Sequence, residues 1–228
     1  MERATKLGSL KNIKGLGFYP QTIIDVGAQT GTHCLYQVFP DSHHILIEPV
    51  EENEVALKQV CSNLKKAEYI IAAATSKNCY VDLSVSPNTK YSHACQRNNQ
   101  KGWTVRPVKG ITVDSLCEDK KLKPPYLLKI DVDGTEVDVL QGCIKTLSLA
   151  EYVVLEATTN AGQRIYDIIN FMRNQNFHVY DIVDFLYRPE INDLWQVDVA
   201  FVKANSEAIA YKNHKQFTPP GQTIPSEL

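Results

Sequence analysis

The ten residues Thr22-Ile23-Ile24-Asp25-Val26-Gly27-Ala28-Gln29-Thr30-Gly31 constrain this chain most. Thr22 to Val26 is β-branched apart from one aspartate, a composition that favours a short buried strand. Gly27 interrupts it, and Gly31 stands just before 32–38, a segment able to begin a helix. A strand, a tight glycine turn and a helix form the opening unit of a doubly wound nucleotide-binding fold. A side chain at these glycines would collide with a ligand lying across the turn, or would forbid the turn's dihedrals. A plain structural turn is the competing reading.

The spacing is D-x-G-x-x-x-G, which departs from the dinucleotide pattern G-x-G-x-x-G. A pyrophosphate seeks bare amides at a helix N-terminus, and a nearby carboxylate repels it. An acid is better placed to face a cation or an amino group. S-adenosylmethionine (SAM) carries an ammonium and a sulfonium and no phosphate, so it suits Asp25 and the loop of Gly27, Ala28 and Gly31. A second apolar run, His44-Ile45-Leu46-Ile47-Glu48-Pro49, also ends in an acid. Glu48 lies 23 positions beyond Asp25, close to the roughly 20 expected of a ribose-binding acid at the tip of the next strand. Its carboxylate can accept hydrogen bonds from two vicinal ribose hydroxyls. The bland alternative is an exposed glutamate before a proline turn.

A chain of 228 residues is long enough for one domain with a sizeable core. The formal net charge of −2 argues against a general nucleic-acid binder, which carries a basic excess. A local basic patch at Lys101, Arg106 and Lys109 reads first as a solvated loop. The six cysteines form no C-x-x-C and no pairing with histidine at metal-finger spacing, so buried reduced thiols are expected. There is no signal-peptide pattern at the N-terminus and no apolar run near the roughly 20 residues of a membrane span. A cytoplasmic protein without a membrane span is the expectation.

In chain order, 1–19 contains a short amphipathic helix with Leu7, Leu10 and Ile13 on one face. Helical spacing runs over 52–64, and 69–74 reads as a third strand. The small residues at its end, Ala73 among them, leave room for a flat adenine ring. Cys79-Tyr80-Val81-Asp82-Leu83-Ser84-Val85 alternates like an antiparallel strand. The polar segment 86–103 that follows has the length of a functional loop or substrate lid; Tyr91, His93 and Trp103 are its candidate wall residues. Further strands are expected at 103–113, 126–134 (ending in acids and a glycine), 151–156, 178–186 and 197–202, with helices at 135–140 and 161–175. The tail 211–228 reads as extended. Alternating strands and helices imply a parallel sheet, and the closing pair implies an antiparallel edge strand.

Three blocks carry a family resemblance: GFYPQTIIDVGA at 17–28, Ile47-Glu48-Pro49, and LKIDVDGTEVDVLQG at 128–142. Together they resemble the FkbM family of SAM-dependent methyltransferases, whose third block is close to K-I-D-x-E-G-x-E. This chain has Asp133 where the glutamate is usual. The resemblance covers about 17–202. It implies an α/β class I methyltransferase (Rossmann-like) domain over 1–228, doubly wound and mostly parallel. It also implies SAM as cofactor and O-methylation of a hydroxyl on a sugar, glycan or natural product.

Methyl transfer from a sulfonium is a direct displacement, so alignment supplies much of the catalysis, and an alcohol acceptor gains from a base or a metal. Open α/β sheets bind ligands at the carboxyl ends of their strands, which puts Asp25, Glu48, Asp131, Asp133 and Glu156 on one rim. Asp131 and Asp133 are the catalytic-base candidates, because crowded carboxylates raise one another's pKa. Lys129 could instead pair with them and hold them ionised. The cofactor set is Asp25, Gly27, Ala28, Gly31, Glu48, Pro49, Ala73 and Asp131, and the substrate set is His93, Tyr91 and Glu156. Mg²⁺ on Asp131, Asp133 and Glu156 is a minor alternative, and no metal site is assigned. A SAM-binding subunit without turnover and an NAD-dependent oxidoreductase are the rival readings.

Overall fold

The computed structural model describes residues 4–89, 92–94, 101–159 and 164–206. Its elements run α1 (Lys6–Gly15), β1 (Thr22–Val26), α2 (His33–Val38), β2 (His43–Glu48), α3 (Glu54–Ser62), β3 (Ala67–Ile71), β4 (Ala73–Ala74), β5 (Cys79–Val85) and β6 (His93–Ala94). They continue with β7 (Thr104–Ile111), α4 (Val113–Asp119), β8 (Tyr126–Ile130), α5 (Glu136–Gln141), α6 (Ile144–Ser148), β9 (Ala150–Thr158), α7 (Ile165–Asn174), β10 (Phe177–Tyr187) and β11 (Leu194–Lys203).

Seven strands form the main sheet in the order β10-β11-β9-β8-β1-β2-β3. β1, β2, β3, β8 and β9 are parallel to their neighbours in this set. All five residues of β1 and all five of β8 are buried, as expected where helices cover both faces of a parallel sheet. The period of two then divides each strand between two cores. Ile23, Leu46, Leu127 and Val154 join Leu10 and Ile13 of α1, Leu35 of α2 and Leu57 of α3 on one face. Ile24, Ile45, Leu128 and Leu155 meet Leu116 of α4, Leu140 of α5, Leu147 of α6 and Met172 of α7 on the other.

Two expectations are refined. The reversed strand is β11, antiparallel to both β9 and β10, so it lies one place in from the edge. The predicted third strand at 69–74 divides: β3 stays in the main sheet, while β4 pairs with β7 in a second sheet ordered β4-β7-β5-β6. That small sheet projects beside the carboxyl ends of β1 and β2 and brings Ala73, Ala74 and His93 to the same opening. Because the chain runs from β1 outward to β3 and later returns to β8 on the other side of β1, the strand order reverses at β1. A crevice opens at such a reversal, outside the carboxyl ends of the strands.

Candidate active site

A cavity of about 670 Å³ lies in that crevice, a size suited to a small-molecule ligand. One wall is the β1–α2 loop with Gly27, Ala28, Gln29 and Gly31; next to it stand Glu48 and Pro49 at the end of β2. Ala73, Ala74 and His93 come from the small sheet, and Asp131 and Asp133 from the turn after β8. Glu156 and Thr158 of β9, Leu186 of β10 and Trp195 and Gln196 of β11 close the far side.

Gly27 has φ +71°, and a Cβ there would stand 1.7 Å from the Asp131 carbonyl oxygen. The glycine is therefore required by the turn's left-handed dihedrals, one of the two reasons its position suggested, and by the close approach of the neighbouring strand end. Gln29 (φ 48°) also occupies the left-handed region, and its amide donates to Glu48 Oε2 at 2.8 Å. Glu48 Oε1 accepts from the Val50 amide at 3.0 Å and from Asn53 Nδ2 at 3.3 Å. The glutamate at the tip of β2 thus fixes the glycine loop of β1 while facing the cavity. Burial raises its pKa, and the two backbone amides oppose that rise.

Asp25 departs from its expected place. It is fully buried and absent from the cavity wall. Its Oδ1 accepts from Thr32 Oγ1 at 3.0 Å and its Oδ2 from the Tyr36 hydroxyl at 3.3 Å. Lys129, directly opposite it on β8, approaches Oδ1 at 3.3 Å. Asp25 is a structural anchor behind the loop, because a strand-end acid with a hydroxyl and a lysine in reach satisfies itself inward.

Lys129 is itself buried. Its ammonium donates to the Gly27 and Val26 carbonyls at 2.7 and 3.2 Å and lies 3.4 Å from Asp131 Oδ2. Burial would depress this lysine, yet Asp131 and Asp25 together keep its pKa above the ordinary value. The same contact acts on Asp131: burial favours its protonated form, but Lys129 and then Lys6 outweigh this and hold it below the ordinary carboxylate range. Asp131 is consequently a fixed negative charge and a weak proton acceptor.

Asp133 behaves differently. It opens into the cavity, yet the surrounding protein and the charge of Asp131 raise its pKa to about 6. Its backbone is left-handed (φ 55°), as is Gly134 (φ 108°), and the Gly134 amide donates to Glu136 Oε1 at 2.9 Å. Glu136 is buried, and burial pushes it to about 7. It holds the turn that presents Asp133, a role the sequence reading did not assign, although Glu136 stands in the third family block. Burial, the charge of Asp131 and then that of Asp133 push Glu156 to about 9.

His93 lines the cavity, its ring 5.4 Å from that of Trp103. Tyr91 lies outside the described residues, as does the predicted tail. Trp195, Leu186, Gln196 and Thr158 were missed by sequence reasoning; the pairing of two distant strands that gathers them leaves no local signal. The basic patch dissolves at Arg106, which donates to both oxygens of Glu52 at 2.8 and 2.5 Å. Among the described residues no three His, Cys, Asp or Glu side chains are arranged to hold a metal ion. None of the described helices is long and apolar enough to cross a membrane. Of the cysteines, Cys34, Cys61, Cys79, Cys117 and Cys143 are free thiols.

The strand order and the crevice define a class I methyltransferase fold. Residues 25–179 match the Methyltransferase FkbM domain, and the chain belongs to that family. A curated relative, hexuronic acid methyltransferase AglP of Haloferax volcanii, is 24% identical over 140 residues, covering 58% of this chain. The match spans only 54% of that relative's length. Among solved structures, a Clostridium thermocellum protein provisionally assigned as an rRNA methylase superposes with a TM-score of 0.52 at 11% identity, covering 87% of this chain and 97% of its own. Magnesium protoporphyrin IX methyltransferase of Synechocystis, solved with bound SAM, gives a TM-score of 0.49 at 10% identity over 86% and 76% of the two chains.

Proposed function

We propose that the chain is a SAM-dependent O-methyltransferase acting on a hydroxyl of a sugar, glycan or related natural product. The observation that carries this reading is the division of labour between two neighbouring carboxylates. Asp131 is kept charged by Lys129, whereas Asp133, two residues on, is poised at about 6 and opens into the cavity. The first suits a cationic ligand, and the second suits proton transfer near neutral pH.

The cradle fits the proposed donor: a glycine loop, a strand-tip glutamate, small residues at Ala73 and Ala74, and acids in place of basic phosphate ligands. SAM, when bound, supplies a methyl group on an activated sulfonium. Glu48 retains acceptor capacity for ribose hydroxyls beyond the hydrogen bonds it receives from Gln29, Val50 and Asn53. Gly27, Ala28, Gly31 and Pro49 line the same side, and Asp131 faces the positive part of the ligand. Asp133 accepts the proton of the acceptor hydroxyl at its carboxylate. Glu156, His93, Trp195 and Gln196 border the acceptor. The relative's action on a hexuronic acid supports a saccharide acceptor.

The test is a screen of hydroxyl acceptors, including neutral methyl glycosides and a glucuronide, with S-adenosylhomocysteine release as the readout. Turnover that is lost in Asp133→Asn supports the reading. Turnover unchanged in that variant removes Asp133 from the base role, and SAM binding without turnover across the panel favours a binding subunit.

A further inference from the structure

A row of charged side chains crosses the carboxyl end of the sheet and continues onto α1. Asp25 of β1 lies opposite Lys129 of β8, Lys129 contacts Asp131, and Asp131 shares the cavity lining with Glu156 of β9, the strand paired with β8. Glu156 lies opposite Asp198 of β11, and Asp198 Oδ2 is 2.7 Å from Lys6 Nζ. Both ends of that last pair are largely withdrawn from water, at 17% and 8% side-chain exposure. The start of α1 is fastened at the same place. The Lys6 amide donates to Asp184 Oδ2 at 3.1 Å, and the Asp184 amide donates to the Ala4 carbonyl at 3.0 Å. Farther along α1, Ser9 meets the Tyr152 hydroxyl at 3.0 Å and Asn12 meets that of Tyr180.

The row holds four carboxylates from the sheet, Asp25, Asp131, Glu156 and Asp198, with Asp133 and Asp184 beside it. Lys129 and Lys6 are the cations that bear most on Asp131. Lys129 is already shared with Asp25 and two carbonyls. Lys6 is therefore the second cation, beside Lys129, that favours the charged form of Asp131.

We propose that Lys6, from a helix outside the sheet and anchored there by Asp198, is a positioning residue for the candidate site: its cation keeps the Asp131 carboxylate charged toward a cationic ligand. This rests on the SAM reading for its functional consequence, but not for its electrostatic content. Burial and Coulomb interaction work over several ångströms at low effective dielectric, so Lys6 acts on Asp131 without touching a ligand. Its two partners in the salt bridge must then have opposite effects. Removing the cation makes Asp131 and Glu156 harder to ionise, and removing the Asp198 anion makes them easier to ionise.

The experiment compares Lys6→Met, Lys6→Arg and Asp198→Asn with the wild type over pH 5 to 9. SAM affinity is followed by calorimetry, and the carboxyl groups are titrated by isotope-edited infrared spectroscopy on ligand-free protein. Lys6→Met is expected to move the carboxyl titration and the acid limb of SAM binding upward by roughly half a pH unit, about 3-fold in the protonation equilibrium. Asp198→Asn is expected to move both downward, and Lys6→Arg is expected to match the wild type. Shifts of the same sign in Lys6→Met and Asp198→Asn, or no shift in either, overturn the proposal, because a merely structural bridge responds alike to loss of either partner. If the wild type binds no SAM, the donor reading fails by itself, and the infrared titration still decides the role of Lys6.

Discussion

The two sides of the cavity are built on different principles. On the side formed by β1, β2 and β8, three charged side chains are already engaged by the protein: Glu48 by Gln29 and Val50, Asp25 by Thr32 and Tyr36, Lys129 by two carbonyls. On the side formed by the β10–β11 hairpin, large side chains that line the cavity stand open, Leu186 and Trp195. The first side is preorganised before any ligand arrives, which suits an invariant donor. The second is more open, which suits the acceptor of the proposed reaction.

The sharpest break of this contrast comes at Gly27. Gly27→Ala combines left-handed strain with a clash against the Asp131 carbonyl, so a loss of about 3 to 5 kcal/mol is expected. Urea denaturation measures it; a change below about 1 kcal/mol would mean that the donor side is not rigid. Next in size is Asp133→Asn, expected to lower turnover about 10²- to 10⁴-fold while SAM affinity holds. In the wild type the base is protonated as pH falls through about 6, so kcat/KM should decline below that point, and any residual activity of Asp133→Asn should lack this limb. A pH profile shared by both proteins would assign the base elsewhere.

Glu48→Gln should weaken SAM by about 10-fold, in line with loss of a charged hydrogen-bond acceptor worth about 1.5 kcal/mol, with little change in acceptor KM. Trp195→Ala should do the reverse: acceptor KM rises by roughly 5-fold, as one aromatic contact of about 1 kcal/mol is lost, and SAM affinity is unchanged. If the two variants moved the same constant, the division of the cavity would be wrong.

The donor side was largely legible in the sequence because its signals are local. Thr22 to Gly31 encodes its own strand and turn, and Glu48 and Asp131 end apolar runs that could only be parallel strands. The direction of a side chain was not local. Asp25 reads as a ligand group, yet Lys129 and Tyr36, distant in sequence or hidden in a helix, turn it inward. Lys129 was considered as a partner for the acids, and that pairing sets the difference between Asp131 and Asp133. The acceptor side was poorly legible: the break after Ile71 that sends Ala73 and Ala74 into the second sheet has no proline or glycine to announce it. The Lys6–Asp198 pair joins residues nearly the whole domain apart, so no spacing rule could reach it.

The account stands on a cavity whose fixed negative charge receives a positively charged adenosyl donor. Calorimetric titration of the full chain with SAM and with S-adenosylhomocysteine, in the wild type and in Asp131→Asn, tests it directly. The wild type should bind SAM in a single site, and Asp131→Asn should lose about 10-fold or more for SAM and less for the uncharged thioether. Equal affinities of both proteins for SAM, or no binding by the wild type, would contradict it.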